Sequence, residues 1–165
     1  METLEWYAMY VRPRFERIAA FHLQSRNIEH FLPLRRVARQ LVSGPRFIHL
    51  PLLPGYVFCK THVGMHRSLL TIPGVLRISA GTISEQKIND LKLIIRPGLN
   101  IQQWRFTPTG KTVTIQSGAL KSITGILDIA CDTQVFIMSI EAIRRSIGVH
   151  IDEGASFSLG GGTAA

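Results

Sequence analysis

Cysteine is scarce in this 165-residue chain: Cys59 and Cys131 are the only two. Each lies inside an apolar run without CxxC spacing, so buried free thiols are favoured over a Cys59 to Cys131 bridge or a metal site. Long apolar runs are missing as well. No stretch approaches the roughly 18 to 20 residues of a membrane span, and the start METLEWYAMY has neither a basic leader nor an unbroken apolar segment. A cytoplasmic protein with no membrane partner is expected. Catalytic patterns are equally absent. TGKT at 109–112 has Arg105 where a phosphate-binding loop needs its first glycine, and a strand-like run follows it. His62 and His66 have i, i+4 spacing, but no glutamate stands between them and no nearby cysteine or acid completes a metal set. No nucleophile elbow or carboxylate pair stands out. A non-enzymatic binding protein is expected, with no cofactor and no metal.

Acids are few, and their distribution is informative. The chain has 19 Lys and Arg against 11 Asp and Glu, a net charge of +8. Up to Arg96 fourteen basic residues face six acids, and beyond it five face five, so the whole excess lies in the first part. Such asymmetry points to a polyanion, nucleic acid first, on the N-terminal portion.

The pattern predicts an α+β chain. WYAMYV (6–11) is a strand, and RFERIAAFHLQSRN (14–27) is an amphipathic helix with Phe15, Ile18, Ala19 and Leu23 on its apolar arc. Two extended arms, HFLPLRRVARQLV and PRFIHLPL, flank a turn at Ser43-Gly44-Pro45. In PLLPGYVFCK (51–60), alternation sends Tyr56, Phe58 and Lys60 to one face and Val57 and Cys59 to the other. A short helix over 62–71, a turn at Ile72-Pro73-Gly74 and the strand VLRISA follow. Ser84 then caps a helix with Ile88, Leu91 and Ile95 on one face. Residues 97–110 hold Pro97, Gly98, Pro108 and Gly110 without a period, and read as a linker between a domain over 1–96 and one over 111–153. KTVTIQ, ITGILDI, QVFIMSIEAI and SIGVHID suit a small β-barrel, and the glycine-rich end, 154–165, reads as a disordered tail.

Two basic groups are candidates for phosphate contact. Arg12 and Arg14 flank the first helical turn, where exposed N–H groups favour an anion and disfavour cations, while His22 and Arg26 follow along the same helix. Arg35, Arg36, Arg39 and Arg46 sit on arms that are polar on both faces and so should project into solvent. The competing explanations are a solvated arginine pair, a packed His22 and a charge-protected strand edge.

The order of pieces, Trp6-Tyr7, Arg12-Pro13-Arg14-Phe15-Glu16, Phe31-Leu32-Pro33, a basic hairpin, Pro54-Gly55-Tyr56-Val57-Phe58, Pro73-Gly74-Val75 and a small all-β module, resembles the NusG family of transcription elongation factors. The "YVRPRFE" segment and short hairpin look most like the specialised RfaH-type and UpxY-type antiterminators. The resemblance implies an N-terminal (NGN) α/β sandwich with an antiparallel sheet, followed by an SH3-like KOW barrel, in which Gly118-Ala119-Leu120 and Gly125 match the opening loop. It implies an apolar depression of Trp6, Tyr7, Leu53, Tyr56 and Phe58 for the clamp coiled coil of bacterial RNA polymerase. His66 and Arg67 would face the opposite jaw. Arg12, Arg14, His22 and Arg26 would reach non-template DNA, with the hairpin's Arg35, Arg36 and Arg39 as further nucleic-acid contacts. Ile143 matches the barrel position that contacts a small-subunit ribosomal protein or Rho. The expected role is operon-specific suppression of pausing and termination. Its rivals are the general family member coupled to Rho or the ribosome, and a ribosome-associated RNA-binding KOW protein, against which the neutral charge of the second part argues.

Overall fold

β1 (Glu5–Val11) and the strand after Pro54-Gly55 pair antiparallel as expected for two alternating runs, with Tyr7 opposite Cys59, Ala8 opposite Phe58 and Tyr10 opposite Tyr56. The computed structural model describes residues 2–96, 98–151 and 159–161. In chain order the elements are β1, α1 (Glu16–Ser25), β2 (His30–Phe31), β3 (Leu34–Leu41), β4 (Gly44–Pro51), β5 (Tyr56–Thr61), α2 (His66–Leu69), β6 (Val75–Ile78) and α3 (Glu85–Ile94), then β7 (Ile101–Trp104), β8 (Lys111–Ile115), β9 (Thr124–Ala130), β10 (Thr133–Ile140), β11 (Arg145–Ile151) and β12 (Leu159–Gly161). The chain divides into two compact units, Met1–Ile88 and Asn89–Ala165, and the division falls inside α3.

In the first unit an antiparallel sheet runs β2-β5-β1-β6. One face carries Tyr7, Met9, Val11, Val57 and Cys59, and α1 lays Ala19 and Leu23 against it, joined by Leu69 and Ile72. Burial pushes the Cys59 thiol up to about 12, so it stays neutral and packs as a small apolar group. The helix is rotated from the expected arc. Glu16, Ala19 and Leu23 form its buried stripe, whereas Ile18 is 42% exposed and Phe21 65%. Glu16 explains the rotation: its Oε1 accepts a hydrogen bond from the Gly55 N–H at 2.9 Å in the interior, which turns position 16 inward and Ile18 out. Gly55 itself must be glycine, since its φ is +87 and a Cβ would meet the Tyr10 ring at 3.3 Å. α1 ends where Asn27, at φ 55, lets the Ile28 N–H reach the Leu23 carbonyl at 3.0 Å.

β3 and β4 form a separate two-stranded sheet, from Leu34 opposite Pro51 to Leu41 opposite Gly44. The connecting turn is Val42-Ser43, not Ser43-Gly44-Pro45, because Gly44 at φ +110 already closes the register as the first residue of β4. At the start of α3 the Ser84 Oγ accepts the Lys87 N–H at 3.1 Å, as its capping position predicts. Ile88, Leu91 and Ile94 are buried there, with Ile95 less so.

The second unit is an antiparallel sheet ordered β12-β8-β9-β10-β11-β7. It is open: among the described residues nothing pairs β12 with β7, in contrast to the closed barrel expected. Its buried residues include Val113, Ile115, Val135, Phe136, Met138, Ile147 and Val149. Gly125 is required by packing, since a Cβ would lie 2.6 Å from the Phe136 ring. Part of the expected linker is structured. Ile101–Trp104 pairs with β11, Arg105 pairs with Asp128 at 2.9 Å, and Thr107 is tied to the buried Ser139 and Ser146 hydroxyls. A four-residue strand with two central glutamines shows no alternation, so its sequence carried no signal. Within the expected disordered tail, Leu159–Gly161 is strand β12 against β8, and residues 154–158 and 162–165 lie outside the described residues. Cys131 is exposed rather than buried. It forms, with Asp132, the two-residue turn between β9 and β10, both at positive φ (50 and 60), as a type I′ hairpin requires.

Candidate functional site

The expected docking residues do not form one open depression. A strand sends neighbours to opposite faces, so Trp6, Tyr56 and Phe58 share a face with Tyr10, while Tyr7 belongs to the α1-facing core. Moreover Trp6 is 1% exposed, Tyr56 7%, Phe58 0% and Leu53 1%. On this face Phe58 stacks on its cross-strand partner Phe31 at 6.3 Å and Tyr56 tilts against its cross-strand partner Tyr10 at 5.4 Å, while Trp6 Nε1 donates to Glu85 Oε2 at 3.0 Å. The chain after β6 returns over Trp6, where the Ile83 N–H bonds its carbonyl at 2.8 Å. Lys60, on the same face, holds Glu85 at 2.8 Å, and that hydrogen bond raises the lysine pKa. Alternation identified the faces correctly, but it says nothing about what lies on them.

Tyr7 instead meets His66, edge-on with ring centroids 4.5 Å apart. His66 opens α2 and is half-buried, its pKa lowered by desolvation and then by neighbouring His62. His62 itself pairs with Glu2. Arg67 is exposed. Ile143 is half-buried in the 3-10 turn Glu141–Ile143 between β10 and β11.

The basic residues separate into two groups. At the C-terminal end of α1, His22 is half-buried with its ring edge-on to Phe21 at 5.9 Å. Arg26 is committed: its guanidinium donates to the Ser68 carbonyl at 3.0 Å, to Ser68 Oγ at 3.3 Å and to Thr71 Oγ1 at 3.3 Å, which ties α1 to α2. A ten-residue helix is about 15 Å long, so Arg14, before its start, stands about a helix length from Arg26, and both are exposed.

At the other end, Arg12 and Arg14 are exposed and Arg14 holds φ 71. Here the hairpin base meets the helix start. A cavity of about 460 Å³ opens there, lined by Arg14, Arg17, Arg35 and His49 together with proline rings. Arg17 Nη2 donates to the His49 carbonyl at 2.9 Å and fixes the hairpin against α1. Farther out, Arg39 lies directly opposite Arg46, and Arg36 stacks on the exposed Phe47 ring at 3.6 Å. Arg17 and His49 had no assigned role in the sequence; only their opposite placement across α1 and β4 brings them together. Among the described residues no group of three potential ligands could hold a metal ion, and no helix is long and apolar enough to cross a membrane.

The first unit, with its antiparallel sheet β2-β5-β1-β6, packed α1 and separate basic hairpin, has the architecture of an NGN domain. The family model described as "Transcription termination factor nusG" matches residues 4–93, and the chain belongs to the NusG family of transcription factors. Among solved structures, "Domain interaction in Thermotoga maritima NusG" is similar at 13% identity and a TM-score of 0.51, over 89% of this chain and 93% of that one, a likeness of fold. "Crystal Structure of MjSpt4:Spt5 complex conformation A" aligns at 17% identity and a TM-score of 0.34, over 94% and 98% of the two chains. No curated protein matches the chain.

Proposed function

We propose that the chain is a non-enzymatic transcription elongation and antitermination factor that binds bacterial RNA polymerase and lies along non-template DNA, as an operon-specific paralog of the RfaH or UpxY type. Membership of the NusG family across residues 4–93 carries the reading. The charge supports it, because the excess of +8 falls on the portion with the hairpin and helix arginines. Its work is mechanical and cytoplasmic: bridging the polymerase cleft over DNA opposes pausing and needs no bond chemistry. Polymerase contact through the Trp6, Tyr56 and Phe58 face requires the chain covering that face to move aside, since side chains this buried present almost no surface to a partner helix. The second unit is proposed as the KOW module, an SH3-like barrel when closed, with Ile143 toward a small-subunit ribosomal protein or Rho. A second reading, the general family member that favours pausing or termination, is supported by the description of the matching family model. Co-elution with purified bacterial RNA polymerase core tests the shared claim: a stoichiometric complex is expected, and separate elution at micromolar concentrations of both would overturn it.

A further inference from the structure

β3 and β4 form a sheet of two strands, so each has an outer edge where backbone groups meet no further strand. Which groups point outward follows from the turn. In a two-residue hairpin the closing pair, here Leu41 and Gly44, exchanges hydrogen bonds, and bonded pairs alternate from there. Arg39 with Arg46, Val37 with Ile48 and Arg35 with Leu50 are therefore bonded inward, and the pairs between them turn N–H and C=O outward. Three observations agree with this phase. Pro45 and Pro51, which lack an N–H, both occupy outward positions. The outward His49 carbonyl accepts the Arg17 guanidinium at 2.9 Å. The Leu52 N–H bonds the Pro33 carbonyl at 2.8 Å, where the alternation places the next bonded pair.

The two edges differ. That of β4 is closed by its two prolines and by Arg17. That of β3 presents the N–H groups of Arg36, Ala38 and Gln40, all exposed residues, and has neither proline nor bulge from Leu34 to Leu41. Among the described residues nothing bonds these three N–H groups. An open edge of this kind takes up another extended chain through its main-chain groups, with side-chain pairing deciding which chain. Charge selects it here. Residues 34–51 contain four arginines and no acid. A second copy of β3 paired antiparallel over Leu34–Leu41 would place Arg36 opposite Arg39, and like charges directly opposite destabilise a strand pair. An acidic strand reverses that sign. Arg35 and Arg39 stand on one face with Val37 between them and Arg36 on the other, so carboxylates on either face of an incoming strand meet a guanidinium. A nucleic acid has no alternating N–H and C=O with which to continue the ladder.

We infer that the outer edge of β3 takes an extended acidic segment of a protein partner as a third, antiparallel strand, its carboxylates opposite Arg35, Arg36 and Arg39. The inference goes beyond the proposed function and does not depend on it, because it uses backbone groups rather than the arginine side chains alone. The test uses the full isotope-labelled chain and an eight-residue peptide with glutamate opposite those three arginines and threonine or valine elsewhere. With the peptide in excess, amide hydrogen exchange followed by NMR should slow several-fold at Arg36, Ala38 and Gln40. It should change less at Val37 and Arg39, whose N–H groups are already bonded across the hairpin. Ala38→Pro removes one outward donor without breaking a bonded pair and should abolish the slowing at Arg36 and Gln40. Should that variant fail to fold by circular dichroism, R35E/R39E must lose the glutamate peptide and gain its lysine counterpart. Four results overturn the inference: no slowing at the three amides, peptide binding that leaves them exchanging freely, equal slowing by the lysine peptide, or equal slowing by single-stranded DNA.

Discussion

Removing the carboxylate of Glu16 tests how the start of α1 is locked to the Pro54-Gly55 turn. The side chain is buried at the helix N-terminus, and its Oε1 accepts the Gly55 N–H at 2.9 Å. Glu16→Ala leaves that N–H unsatisfied in the interior, and losing a hydrogen bond to a charged acceptor costs about 1.5 to 3 kcal/mol. Loss of a negative charge at the positive end of the helix adds about 0.3 to 1 kcal/mol. Glu16→Gln keeps an acceptor of the same reach and loses chiefly the charge, so it should cost about 1 kcal/mol or less. Urea unfolding followed by fluorescence in a Trp104→Phe background reports on the first unit, because Trp6 is then the sole tryptophan. For a unit of this size each kcal/mol moves Tm by about 4 to 8 °C, so E16A should melt at least about 7 °C below wild type. Equal losses for E16A and E16Q, or E16A within about 0.5 kcal/mol of wild type, a span expected of ordinary surface changes, would refute the reasoning.

Three further outcomes are expected. The His66 pKa lies below its ordinary 6.5, so the unfolded chain takes up the proton first; the stability it contributes is present above pH 6.5 and is lost as the pH falls below it. Thermal melts from pH 8 to pH 5 should show this decline, and His66→Gln should flatten it; an unchanged pH dependence contradicts the assignment. Arg26→Ala should lower stability by about 1 kcal/mol or more through its lost hydrogen bonds to Ser68 and Thr71, whereas Arg12→Ala, exposed, should not, and equal melting of the two would refute the tether. Replacing Cys131-Asp132 by Asn-Gly places residues that tolerate positive φ in the hairpin turn and should stabilise the second unit by about 1 kcal/mol; a lower midpoint in urea contradicts that turn geometry.

What the sequence made legible follows from how local each signal is. β1, β5, the hairpin arms and the Ser84 cap rest on alternation, on Gly and Pro, and on one hydroxyl, all readable within ten residues. Trp6 and Tyr7 were separable by the same rule, since adjacent residues in a strand cannot share a face. Other features depend on partners distant in sequence. Ile18 is exposed because Glu16 answers Gly55, 39 residues away. Arg26 is a tether because Ser68 and Thr71 lie beside it in space. Tyr56 and Phe58 stand beside Tyr10 and Phe31, cross-strand partners that only the strand register supplies. The cavity joins Arg14 and Arg17 to Arg35 and His49 only once the hairpin folds back on α1. β7 and β12 are too short to carry a period at all.

Single-round transcription by purified bacterial RNA polymerase on a template with a defined pause tests the central claim most directly. The account predicts a shorter pause half-life and more read-through in the presence of the full chain, with the effect reduced for R14Q/R35Q. A longer pause, or none of these changes under conditions where the polymerase complex forms, would contradict an antipausing role for this member of the NusG family.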